Sequence, residues 1–125
     1  MQNNNFCISC GFTGPQPKVV VSRGNSEAKL MIIGEAPGSE EDISGKPFVG
    51  RSGRLLDDLL ALSGIDCLKD VYICNIIKCR PPKNRRPTKD EIALNMPWLN
   101  QQIKLVDPII IILVGATAVE AVLRI

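Results

Sequence analysis

Three short uncharged runs rich in Ile, Val and Leu, namely Leu30–Ile33, Val71–Ile77 and Ile109–Val114, set the strongest limit on what this chain can fold into. Their largely apolar character, broken only at Asn75 and closed by Gly34, by a Pro-rich basic segment after Ile77 and by Gly115, is that of parallel strands buried on both faces. The segments between them carry helical spacing. Leu55, Leu56, Leu59, Leu60 and Ser63 precede Gly64, which suits a left-handed C-cap. Ile92, Met96, Leu99, Ile103 and Val106 mark one face of a second helix, which Thr88 and Glu91 open as a capping box and Pro108 stops. A last helix starts near Ala116. The order β-loop-α-β-loop-α-β-α predicts an α/β layered fold with right-handed crossovers, and Lys18–Val21 is expected to add a short edge strand.

In such sheets ligands bind beyond the carboxyl ends of the strands. Two unusual loops leave from those ends. The first, GEAPGSEEDISGKPFVGRSG, carries Glu35, Glu40, Glu41 and Asp42 with no base among them. The second, between Lys78 and Lys89, carries Lys78, Arg80, Lys83, Arg85, Arg86 and Lys89 with no acid. The net charge of +2 is too small to imply a nucleic-acid partner, but this segregation points to one shared cleft. The glycine spacing fits neither a Walker A loop nor a dinucleotide fingerprint. Gly34-Glu35-Ala36-Pro37-Gly38 instead predicts a tight turn with amides beside Glu35. Phe48 either stacks on a flat ligand or anchors its loop. Asn75, disfavoured within a strand, needs partners that a nucleobase edge or the backbone would supply.

The chain has no histidine, which excludes Ser-His-Asp and Cys-His nucleophiles and a Cys₂His₂ zinc site within it. Its first residues show neither the basic nor the apolar region of a signal peptide, and no apolar run is long enough to span a bilayer, so a cytoplasmic, reducing location is expected. Five cysteines there suggest metal, redox or core roles. Cys7-x-x-Cys10, in an irregular arm over residues 1–29, has ligand spacing, and Cys79 is a plausible third ligand. Cys67 and Cys74 read as space-filling.

GEAPGSEEDISGKPFVGRSGRLLDDLL, VYICNIIKCRPPKNRRPTKDEI and MPWLNQQIKLVDPIIIILVGATA, together with Cys7-x-x-Cys10, resemble the family 4 uracil-DNA glycosylases, iron–sulfur members of the uracil-DNA glycosylase superfamily. The resemblance implies a three-layer α/β/α sandwich around a central parallel sheet. It also implies excision of uracil from DNA, by hydrolysis of the N-glycosidic bond, in base-excision repair. Gly34, Glu35, Ala36, Pro37 and Gly38 then form the first catalytic motif. Glu35 and Glu41 stand at its acidic positions; either orients water or stabilises the cationic sugar, with Glu41 favoured. Phe48 matches the aromatic that stacks on uracil, and Asn75 the amide that reads its edge. Arg80, Lys83, Asn84, Arg85 and Arg86 would run along DNA phosphates. A 4Fe–4S cluster is implied, with Cys7, Cys10 and Cys79 as ligands. The expected partner is uracil-containing DNA, bound by a monomer with no obligate protein partner and no membrane.

Two departures from the family pattern matter. The fourth cluster position is Asn95, a poor iron ligand, so weaker or substoichiometric iron is expected. The family's second catalytic motif, an H-P-S/A stretch, is absent. The chain is therefore expected to be a single C-terminally incomplete domain, residues 1–125, with little excision of its own. The alternative is a non-catalytic relative that binds uracil or single-stranded DNA through the basic loop. Other rivals are a superfamily member acting on a different damaged base and a metal scaffold, which would not need Phe48 and Asn75.

Overall fold

The computed structural model describes residues 18–125. Its strands are β1 (Arg23–Gly24), β2 (Leu30–Gly34), β3 (Val71–Asn75) and β4 (Ile110–Leu113). Its α-helices are α1 (Ser39–Ser44), α2 (Arg51–Leu62), α3 (Lys89–Val106) and α4 (Ala116–Leu123), with a 3₁₀ turn at Pro82–Asn84. The three apolar runs are the three parallel strands, and the sheet order is β1-β3-β2-β4.

The sheet is mixed rather than wholly parallel, because β1 pairs antiparallel with β3. The expected edge strand at Lys18–Val21 falls later, at Arg23–Gly24. Val20 still donates to the Lys78 carbonyl at 2.7 Å, so the segment runs alongside β3 but meets it as a ladder only at Arg23 and Gly24.

Alternation along the strands sorts side chains to two faces. Met31, Ile33, Tyr72 and Cys74 pack with Leu99 and Val106 of α3 and Ala118 of α4. Ile32, Val71 and Ile73 pack with Leu56 and Leu60 of α2. Helices therefore cover both faces, giving the α/β/α layering. The α2-side core takes nothing from β4, and Ile110 and Ile112 on that strand are exposed.

Thr88 and Glu91 form the expected capping box: the Glu91 amide donates to the Thr88 hydroxyl at 3.2 Å, and the Thr88 amide to the Glu91 carboxylate at 2.9 Å. The acidic part of the first loop, expected to be irregular, is helical as α1. Glu41 at its third position accepts from the Gly38 amide at 2.9 Å, which satisfies a donor that the short helix leaves exposed.

Candidate active site

Gly34 and Asn75 are register partners at the carboxyl ends of β2 and β3, and both project to the α2 side. Their pairing continues past the strands, with Ile76 donating to the Gly34 carbonyl at 2.8 Å and Ile77 to the Glu35 carbonyl at 3.0 Å. A cavity of about 340 Å³ opens there, lined by Gly34, Glu35, Glu41, Phe48, Asn75 and Val114 among others. A Cβ at Gly34 would lie 2.3 Å from the Phe48 ring and 2.7 Å from the Asn75 carboxamide oxygen. An aromatic face and an amide thus converge on one backbone position that only glycine fits.

Asn75 is buried, and a polar network beneath it fixes its main chain. The Lys78 ammonium, itself fully buried, donates to the Asn75 carbonyl at 2.5 Å and to the Gln102 side-chain oxygen. Gln102 in turn donates to the Tyr72 hydroxyl at 2.9 Å and the Val21 carbonyl at 3.0 Å. Buried polar groups linked in this way hold one arrangement, since each lost partner leaves another desolvated.

The two acidic residues differ in their surroundings. The Glu41 carboxylate accepts from the amides of Gly38, Val49 (3.0 Å) and Gly50 (2.7 Å). Burial pushes its carboxyl up, but the amides of Gly50, Gly38 and Val49 outweigh this and hold it below its ordinary value. Glu35 is held from the far side of the sheet, where the Thr117 hydroxyl of α4 donates to Oε2 at 2.5 Å.

The Phe48 turn is gripped twice over. Phe48 has φ +55°, a left-handed conformation rare for an aromatic residue. The Arg23 guanidinium donates to the Pro47 carbonyl at 2.7 Å and the Phe48 carbonyl at 2.8 Å. A Cβ at Gly53 would lie 1.8 Å from the Phe48 carbonyl oxygen, so that glycine lets α2 close on the turn.

The basic loop is partly self-neutralised. Arg85 makes a two-pronged contact to Glu91, at 2.7 and 2.6 Å, and Arg86 pairs with Glu120 at 2.8 Å. Arg85 holds the Glu91 carboxyl below its ordinary value against the opposing effect of burial, with Thr88 assisting. Arg80 donates to the Asn84 side chain at 2.7 Å, and Lys83 is exposed. A second cavity, lined by Glu35, Ala36, Pro37, Gly38, Pro81, Asn84 and Arg85, joins this loop to the first motif.

The chain's match to a family model decides its kinship: residues 21–125 fit the uracil DNA glycosylase superfamily. The chain belongs to that superfamily. It is 48% identical over 114 residues to the type-4 uracil-DNA glycosylase of Thermotoga maritima, a match covering 91% of this chain and 59% of that protein. It is 47% identical to the type-4 uracil-DNA glycosylase of Saccharolobus solfataricus, over 87% of this chain and 50% of the relative. It is 40% identical to that of Archaeoglobus fulgidus, over 91% and 57%. The chain spans between half and three-fifths of these uracil-DNA glycosylases.

Of the expected cluster ligands, Cys7 and Cys10 lie outside the described residues. Cys79 is buried, and Asn95 reaches the residue before it, its side-chain oxygen accepting from the Lys78 amide at 3.1 Å. The Asn95 amide nitrogen donates to the Glu91 carbonyl at 2.9 Å. Among the described residues no group of three or more Cys, Asp or Glu side chains is placed to hold a metal ion. No helix among them is long and apolar enough to cross a membrane.

Sequence reasoning missed Arg23, Gly53 and Thr117. A glycine inside the amphipathic α2 could have flagged a close approach. Nothing local marks Arg23 or Thr117, which act across 25 and 82 residues of chain.

Proposed function

We propose that this chain recognises uracil flipped out of DNA and supplies the carboxylate chemistry for its hydrolytic excision. The convergence of the Phe48 ring and the Asn75 carboxamide on Gly34 carries this reading. A flat base stacks on Phe48, while the carboxamide, with one donor end and one acceptor end, pairs with the uracil edge. Glu35, held through one oxygen by Thr117, orients water with the other and stabilises the positive charge that develops at the sugar. The C1′–N1 bond breaks with its electron pair going to uracil, and water adds to C1′ as Glu35 takes up its proton, which ends on the uracil anion. Glu41 holds the loop that presents Phe48. Exposed Lys83 and the neighbouring Arg80 and Asn84 meet phosphates, while Arg85 and Arg86 brace the loop.

We further propose that Cys7, Cys10 and Cys79 hold an iron–sulfur cluster. Buried Cys79, one residue after the Lys78 amide that the Asn95 side chain accepts from, fits a thiolate ligand, and the cluster would tether the arm to the basic loop.

The test is single-turnover incubation with a single-stranded oligonucleotide carrying one uracil, followed by alkaline cleavage of abasic sites, alongside binding to uracil- and thymine-containing strands. Tighter binding to the uracil strand and slow strand scission, both lost in Asn75→Ala, with scission alone lost in Glu35→Gln, is expected. Uracil-selective binding without scission identifies a binding relative. Equal binding to both strands overturns the proposal.

A further inference from the structure

We propose that Arg23, on the antiparallel edge strand and outside the cavity lining, is a positioning residue that sets the Phe48 ring for its ligand. The inference rests on Phe48 being the stacking surface. Three observations carry it. Arg23 donates from Nε and Nη2 to the consecutive carbonyls of Pro47 and Phe48, and from Nη2 also to Asp57 of α2 at 2.8 Å. Its side chain is only 12% exposed, so these bonds stand largely shielded from water. The residue it grips holds φ +55°, a conformation that persists only where its surroundings over-determine it.

The geometry explains why arginine stands there. Two adjacent carbonyls aimed the same way need a rigid planar fork of donors, which a lysine ammonium lacks. Asp57 fixes the fork from α2, while Gly53 of the same helix presses on the Phe48 main chain. Glu41 grips the next two amides, at Val49 and Gly50. Carbonyls on one side and amides on the other are therefore held by opposite charges, with the strained residue between them. Arg23 supplies the carbonyl half of that grip.

Nuclear magnetic resonance on the labelled 125-residue chain tests this. The ligand-free readout is the set of cross peaks between the Phe48 ring and the Gly34 α-protons, with the ring-current displacement of Gly34. Arg23→Lys, which keeps the charge but not the fork, is expected to weaken both, and Arg23→Met to abolish them. Uracil affinity, read at Gly34 and Asn75, should fall roughly tenfold in Arg23→Met and show no further loss when combined with Phe48→Leu. A lower melting temperature with the Gly34–Phe48 cross peaks and uracil affinity unchanged would make Arg23 merely structural and overturn the inference. If the unmodified chain binds no uracil, the stacking reading fails, and the ligand-free cross peaks alone decide whether Arg23 sets the ring. Should Arg23→Met not fold, Arg23→Lys and Asp57→Asn put the same question to a folded chain, and unchanged cross peaks in both would overturn the inference.

Discussion

Glu41 and Gly50 are joined by a 2.7 Å hydrogen bond from main-chain amide to carboxylate, closing the loop between α1 and α2. With the Val49 and Gly38 amides also pointing at this carboxylate, Glu41 acts as an internal cap. Glu41→Gln keeps the shape but removes the charge and one acceptor. A loss of about 1–2 kcal/mol in chemical denaturation, with broadened Phe48 resonances, is expected. A variant as stable as the parent chain, with Phe48 unchanged, would count against the capping role.

The same contact gives the loop an acid sensitivity. Because the Glu41 carboxyl is held below its ordinary value in the folded chain, its contribution to stability is complete above that ordinary value. It is lost as pH falls through the lower folded value. Amide exchange at Val49 and Gly50, corrected for intrinsic rates, should therefore be flat from neutral pH down to the ordinary carboxylate range and rise below it. Glu91, held low by Arg85, should loosen the basic loop in the same direction.

Gly34→Ala places a methyl group where the Phe48 ring and Asn75 carboxamide converge, at 2.3 and 2.7 Å. Both must move, at about 1–3 kcal/mol of stability. Uracil affinity is expected to fall at least about tenfold, since the groups proposed to stack on the base and read its edge are displaced together. Titration with free uracil measures it; unchanged affinity would show that the ligand sits elsewhere.

Thr117→Val removes the hydroxyl that holds Glu35 from across the sheet. If Glu35 orients the water, single-turnover scission should slow about tenfold, while Thr117→Ser retains most of it. Uracil affinity should change little, because Phe48 and Asn75 are untouched. Equal loss in the Val and Ser variants would point to helix packing rather than the hydroxyl.

Asn95→Cys puts a thiol where the Asn95 side chain meets the Lys78 amide, one residue before Cys79. Iron per chain and visible absorbance after anaerobic reconstitution should rise above those of the parent chain, and Cys79→Ala should lower both. A parent chain already carrying a full, air-stable four-iron cluster would contradict the expectation of weak iron binding.

Much of the layered fold is legible in the sequence because burial on both faces leaves a local trace. Leu30–Ile33 is apolar throughout and Val71–Ile77 is apolar except at Asn75, since helices cover the sheet on either side. The capping box at Thr88 is equally plain, because its partners lie three residues apart. The apolar run predicts strand through Ile77, yet the ladder ends at Asn75, where the backbone turns into the buried Lys78 network. The helix α1 is not legible: short and acidic, it depends on a Glu41 carboxylate that is also engaged eight and nine residues on.

The sequence by itself determined the strand runs, most of the helix caps and the residue types of the cleft proposed to bind a base, because each is written in the run itself or in neighbours a few positions away. The tertiary structure decided which of those residues meet. It brought Phe48 and Asn75 to Gly34, divided Glu35 from Glu41 by the partners each accepts, and turned Arg85 and Arg86 toward Glu91 and Glu120. The physical reason is that a carboxylate or guanidinium takes its role from the donors and charges within hydrogen-bond reach, and here several of those partners lie tens of residues away along the chain.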